Sequence, residues 1–164
     1  MTHTDNEEEG NGGPLIQFVT FVLMEETYGI NVMQVQEVLR VTEIAPVPGA
    51  PAYVLGIINL RGNVVTVIDT RIRFGLPTVE TDDASRIIVI ESEKQVVGIL
   101  VDAVAEVVEL RENEIDPAPN VGTEESSRYI QGVATRGENR DGLLILVDLN
   151  KLLTDEEWQE ISMY

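Results

Sequence analysis

The feature that most constrains this chain is that it repeats itself. Tyr28-Gly29-Ile30-Asn31-Val32-Met33-Gln34-Val35-Gln36-Glu37-Val38 aligns with Val97-Gly98-Ile99-Leu100-Val101-Asp102-Ala103-Val104-Ala105-Glu106-Val107, with six of eleven positions identical. Tyr53-Val54-Leu55-Gly56-Ile57 aligns in the same way with Tyr129-Ile130-Gln131-Gly132-Val133, and the apolar run that ends at Asp69 matches the one that ends at Asp148. A tandem duplication follows, with about five short strands in each unit, a number that can curl into a small closed barrel and so remove its exposed edges. A unit of roughly 65 residues buries little apolar surface alone, so the two are expected to pack together. The predicted fold is therefore mainly β, two packed five-stranded barrels with short helices. The first spans about 15–80 and the second about 85–148, and exchange of strands between them is left open.

Local patterns fill in this frame. Ile16 to Leu23 is rich in β-branched and aromatic residues and reads as a strand, followed by a polar turn and Tyr28-Gly29-Ile30. Val32, Val35, Val38 and Leu39 recur at spacings that fit a short helical turn running into a strand. After the proline-bearing stretch Ala45 to Pro51 come two apolar runs, Val54 to Leu60 and Val64 to Ile68, joined by Arg61-Gly62-Asn63. They read as a β-hairpin with an arginine at its tip. Asp69 then caps a short helical stretch, Thr70 to Phe74. Further strands are expected at Arg86 to Glu91, Gln95 to Val101, Val104 to Leu110, Tyr129 to Ala134 and Leu143 to Val147. Thr154-Asp155-Glu156-Glu157 has the form of a capping box and predicts a last short helix within 154–164. Residues 1–14 are acidic, rich in Gly and Asn, and expected to be a disordered tail.

Charge and composition exclude several functions. The chain of 164 residues has 29 acids against 11 bases, and its formal net charge of −18 makes nucleic acid an unsuitable partner. Four of the acids lie in 1–14 and four in 154–164, so the body is acidic too. Such a body repels itself in dilute buffer and is relieved by molar salt, which points to a high-salt cytoplasm of the kind found in halophilic archaea. There is no cysteine, and the one histidine is His3, so a zinc site, a disulfide framework and a cysteine nucleophile are excluded; no metal and no cofactor are expected. No apolar run is long enough for direct membrane insertion, and the acidic amino terminus is unlike a secretory signal, so a cytoplasmic location is expected.

Few residues suggest chemistry. Asp69, Asp102 and Asp148 could form an acidic catalytic pair, but Asp69 and Asp148 occupy equivalent strand-to-helix junctions, where capping explains both, so no catalytic residue is expected. The glycine run Gly10 to Gly13 lacks the strand and helix that frame a phosphate-binding loop. Arg61 is a candidate functional residue because it stands on an exposed hairpin tip in a chain with few bases, and Glu37 is its natural acidic partner. Val32, Val35 and Val38 are either core or the lining of a groove between the units.

These residues together resemble the CheW family of bacterial and archaeal chemotaxis adaptors. The resemblance rests on Gly56-Ile57-Ile58-Asn59-Leu60-Arg61-Gly62, on Val67-Ile68-Asp69 with Arg71, on Tyr28-Gly29-Ile30 with Val35-Gln36-Glu37, and on Val97 to Asp102. It implies two SH3-like barrels and a scaffold, not an enzyme, that joins the cytoplasmic tip of chemoreceptors to the histidine kinase CheA. Carried over by position, it implies a receptor-binding groove of Val19, Val32, Val35, Val38 and Val104 with Glu37 and Arg61 at its rim. It implies also a face toward the kinase's regulatory domain shaped by Gly56, Leu60, Gly62 and Val64. The alternatives are an isolated CheA-type regulatory domain, which shares the fold but belongs to a much longer chain, and a small acidic hydrolase built on Asp69 and Asp148.

Overall fold

The computed structural model describes residues 12–93, 95–117, 128–136 and 142–162. The tail expected over 1–14 therefore lies outside the described residues up to position 11. Among the described residues eleven strands form two sheets. In chain order they are β1 (Leu15–Leu23), β2 (Glu26–Asn31), β3 (Val35–Arg40), β4 (Val54–Leu60), β5 (Asn63–Asp69), β6 (Arg86–Glu91), β7 (Val96–Val101), β8 (Ala103–Arg111), β9 (Asp116–Pro117), β10 (Ile130–Arg136) and β11 (Gly142–Val147). Helix α1 (Thr70–Arg73) follows β5 and helix α2 (Asp155–Ile161) ends the described chain, with 3-10 turns at Val32–Gln34, Glu112–Glu114 and Leu149–Lys151.

The sheets do not divide at the boundaries expected from the repeat. One runs β8-β1-β2-β11-β10-β9 and the other β3-β6-β7-β5-β4. The second sheet is therefore continuous in sequence, from Val35 to Val101, and is nested inside the first, which takes β1 and β2 from before it and β8 to β11 from after it. The barrels about 15–80 and 85–148 are corrected accordingly: the hairpin β1–β2 has gone to the second unit's strands and β6–β7 to the first unit's. The exchange is reciprocal, so the two strand orders correspond element by element. Even the parallel pairs match, β2 beside β11 and β7 beside β5.

Both sheets close by one device. In the nested sheet β3 and β4 are the outer strands, and the chain leaving β3 reaches across so that Ala45 and Ile57 exchange backbone hydrogen bonds of 2.9 and 2.8 Å. In the other sheet β8 runs on through its 3-10 turn to β9, which pairs with β10 at Gly132 and Val133. The repeated glycine sits under each crossing: a Cβ on Gly56 would lie 2.2 Å from the Ala45 carbonyl oxygen, and one on Gly132 would lie 2.7 Å from that of Asp116. The carbonyl of each repeated tyrosine is pinned in the same way, accepting from the Asp69 N–H at Tyr53 O and from the Asp148 N–H at Tyr129 O, both 2.8 Å.

Alternation along the strands sorts apolar residues into three clusters. Phe18, Val108, Leu110, Ala134, Leu144 and Leu146 fill one barrel, and Ile58, Val65, Val67, Ile87 and Val89 fill the other. The largest cluster lies between them and takes Phe21, Leu23 and Ile30 from one sheet and Ile68, Ile88, Ile90 and Ile99 from the other. A line of ring contacts runs through it, Phe21 stacked on Tyr28, Tyr28 tilted against Phe74, and Phe74 stacked on Tyr129. Helix α2 closes one side: Trp158 and Ile161 are buried in the shared cluster, and Arg73 of α1 bonds to Glu157 at 2.8 and 2.9 Å and to Leu152 O at 2.8 Å.

Candidate protein-docking site

The hairpin turn is one residue tighter than the sequence suggests. Leu60 pairs with Asn63, so Asn63 begins β5 and only Arg61 and Gly62 form the loop. Both have positive φ, 51° and 88°, the combination that matches the twist of a two-residue hairpin. Asparagine or glycine is the usual residue at the first of these positions, and an arginine there carries strain. Asn59 Oδ1 accepts from the Gly62 N–H at 2.9 Å and braces the turn. The Arg61 guanidinium spans to Glu37 on β3, Nη1 to Oε1 at 3.2 Å with Nη2 on Oε2. Because β3 and the β4–β5 hairpin stand at opposite ends of the sheet order, this pair forms only where the barrel closes. The hydrogen bond from Arg61 holds the Glu37 carboxyl below its ordinary range. Arg61 remains 70% exposed and its partner 26%, so the pair contributes little to stability and leaves a guanidinium edge facing solvent.

The valines fall on both sides of the shared cluster. Val32, Val35 and Val104 are half-buried against it, and Val19 is buried within it. On β3, Val35 pairs with Ile90 and Val38 with Ile88; on β8, Val104 pairs with Phe21 and Val107 with Val19. Directly paired residues share a sheet face, so the edges β3 and β8 present equivalent apolar pairs beside the same core. Val38 and Val107 are the exposed members, and Val107 at 54% was not among the residues expected. The repeat contains the signal that finds it, since Val107 aligns with Val38 as Val104 does with Val35.

The second set of residues lies around the hairpin. Val64 is 60% exposed, Gly62 is exposed, Leu60 is half-buried against the barrel's inner cluster, and Gly56 is buried. Val64, Ile57 and Ala45 line a shallow apolar concavity where the closing segment meets β4. Gly56 shapes this face from beneath and offers no surface of its own.

The candidate aspartates are all committed to hydrogen bonds within the fold. Asp69 Oδ1 accepts from Ile72 N at 3.2 Å and Asp148 Oδ1 from Asn150 N at 3.0 Å, each at its own helix start. Asp102 accepts from Met24 N at 2.8 Å and from Arg71 Nε at 2.8 Å, with Arg71 Nη2 on its other oxygen. Burial pushes the Asp102 carboxyl up, but the Arg71 and Met24 hydrogen bonds and the arginine's charge outweigh it and hold it below the ordinary range. Among the described residues no cluster of acidic or histidine side chains has the form of a metal site, and no helix is long and apolar enough to cross a membrane.

Comparison with known proteins points one way. The CheW-like domain family matches residues 17–157. The chemotaxis protein CheW of Klebsiella aerogenes is 37% identical over 141 residues, covering 86% of this chain and 83% of the relative. That of Bacillus subtilis is 36% identical over 143 residues, covering 87% and 90%. The crystal structure of the scaffolding protein TtCheW from Thermoanaerobacter tengcongensis superposes with a TM-score of 0.77 at 37% identity, covering 85% of this chain and 92% of that one.

Proposed function

Because the chain belongs to the CheW family of chemotaxis adaptors, we propose that it couples the helical cytoplasmic tip of chemoreceptors to the regulatory domain of the histidine kinase CheA, and catalyses no reaction itself. The observation that supports this reading is that one body carries two separate apolar surface areas, each suited to a different partner. One comprises Val35, Val38, Val104 and Val107, on strand edges beside the shared core, and would form a groove suited to the apolar face of a helix. The other is the face with Val64 and Leu60 at the β4–β5 hairpin, which suits a second small barrel, as in the kinase domain. Arg61 and Glu37 lie where the β4–β5 hairpin meets β3, and so join the two surfaces. The adaptor would act in the cytoplasm, recruited to membrane receptor arrays by these contacts. The net charge of −18 supports a high-salt cytoplasm, such as that of a halophilic archaeon.

Co-precipitation at high salt tests this directly, with a soluble receptor-tip fragment and the kinase's regulatory domain as separate baits. Val35→Asp places an unpaired charge against the shared core and should lose the receptor fragment while keeping the kinase domain. Arg61→Ala should lose control of kinase activity by receptors. Retention of the receptor fragment by Val35→Asp, with a native circular dichroism spectrum, would remove the groove assignment.

A further inference from the structure

The chain passes between the sheets through two crossovers that the repeat makes equivalent: Val32–Gln34 leads from β2 to β3, and Asp102 leads from β7 to β8. Aligned, Val32 stands with Val101, Met33 with Asp102 and Val35 with Val104. The structure uses the two middle positions differently. Asp102 is a latch, tied to the β1–β2 turn through Met24 N and to α1 through Arg71, which itself donates to Pro77 O at 2.8 Å. The counterpart of Arg71 in the repeat, Asn150, accepts instead from Glu93 N at 2.8 Å, so the other interlocking contact is made without the crossover residue. Met33 is thereby released from structural duty. Its N–H is held by Asn31 Oδ1 at 2.9 Å, and its side chain is 86% exposed, more than any other large apolar side chain described.

Its surroundings suit a contact. Val32 and Val35, on either side of it, pack on the shared core at the groove. From Asn31 to Gln36 there is no charge, an uncharged island in a chain with 29 acids, and the next residue, Glu37, is neutralised by Arg61. An unbranched thioether fits itself to varied apolar surfaces, and a helix docked in a groove offers such surfaces at three- and four-residue spacing. We propose that Met33 is a contact and specificity residue of the groove, entering between apolar side chains of the docked receptor helix. This deepens the groove reading and rests on it.

The test is a titration of the full chain with the soluble receptor-tip fragment, with the kinase's regulatory domain and a thermal melt as controls. Met33→Ala should weaken receptor binding by about fivefold to thirtyfold, the loss expected when a methionine's apolar contact is removed. Met33→Leu should restore most of it. Kinase-domain affinity and melting temperature should not move, because an exposed side chain supports no fold. Unchanged receptor affinity in Met33→Ala, while Val35→Asp abolishes binding, would overturn the contact and keep the groove. Unchanged affinity in both would overturn the groove as well, and a parallel fall in both partners' affinity with a lower melting temperature would make Met33 structural.

Discussion

Gly56 offers the sharpest test of how the barrel is closed. A Cβ there would stand 2.2 Å from the Ala45 carbonyl oxygen, 2.7 Å from its carbonyl carbon and 2.9 Å from Ile44 Cγ2. Two of these three atoms are backbone, and the backbone φ of 155° also disfavours any side chain, so relief must come from pulling the closing segment off β4. That breaks the 2.9 and 2.8 Å hydrogen bonds between Ala45 and Ile57, each worth about 1 kcal/mol net. With backbone strain of order 1–3 kcal/mol as the other way out, Gly56→Ala should destabilise by about 2–4 kcal/mol. At roughly 2–4 °C per kcal/mol for a chain of this size, the melting temperature should fall by about 4–16 °C. Gly62→Ala is the control, because no atom lies within 4 Å of its Cβ and only its φ of 88° opposes the change, so its loss should be about 1 kcal/mol. Differential scanning calorimetry on both variants decides the matter. A Gly56→Ala protein melting within a degree or two of wild type would refute closure by that crossing. The same experiment bears on function: kinase binding lost by a Gly56 variant that also melts early reports a sprung barrel and not a lost contact.

Three further outcomes are expected. Arg61→Gly relieves a positive φ of 51° and removes only an exposed ion pair, so its melting temperature should equal or exceed that of wild type while receptor control of the kinase is lost; a clear drop in melting temperature would return Arg61 to the scaffold. The depressed Asp102 carboxyl contributes stability that is fully present above the ordinary carboxylate range and lost as pH falls through its lower folded value. The gap in melting temperature between wild type and Asp102→Asn should thus be widest near neutrality and close in acid, and a gap independent of pH would exclude the ion pair as its cause. Finally, with a net charge of −18, a melt in molar potassium chloride should lie above one in dilute buffer, and no upward movement would remove the high-salt reading.

What the sequence made legible was what is local. The hairpin, the Asp69 and Asp148 caps and the Thr154–Glu157 capping box depend on residues within a few positions of each other, and all are present in the structure. Sheet membership was not legible, and the repeat itself is the reason. β2 and β7 carry the same Gly-Ile pair, so either could lie beside β5 or β11 with the same side chains meeting. No pattern along the strands tells a barrel made from one unit apart from one completed by the other. The candidate site divides in the same way. Arg61 and Glu37 were readable as partners from charge and scarcity, whereas Gly56 as a buried crossing point depended on a contact with Ala45 that is invisible without the closing segment. Val107 was missed because an exposed valine on a strand has no mark of its own apart from its counterpart Val38.

The nesting of one sheet within the other also orders events on the ribosome. β1 and β2 emerge first, but their neighbours β8 and β11 lie beyond the whole of the other sheet. A chain released as far as Val101 holds every strand of the nested barrel, while the amino-terminal hairpin waits with one edge of β1 and one of β2 bare. Bare strand edges are templates for pairing with the wrong chain. The nascent adaptor is therefore most exposed to aggregation between the completion of one barrel and the arrival of residues 103–147, when its first-made strands are the last to be claimed.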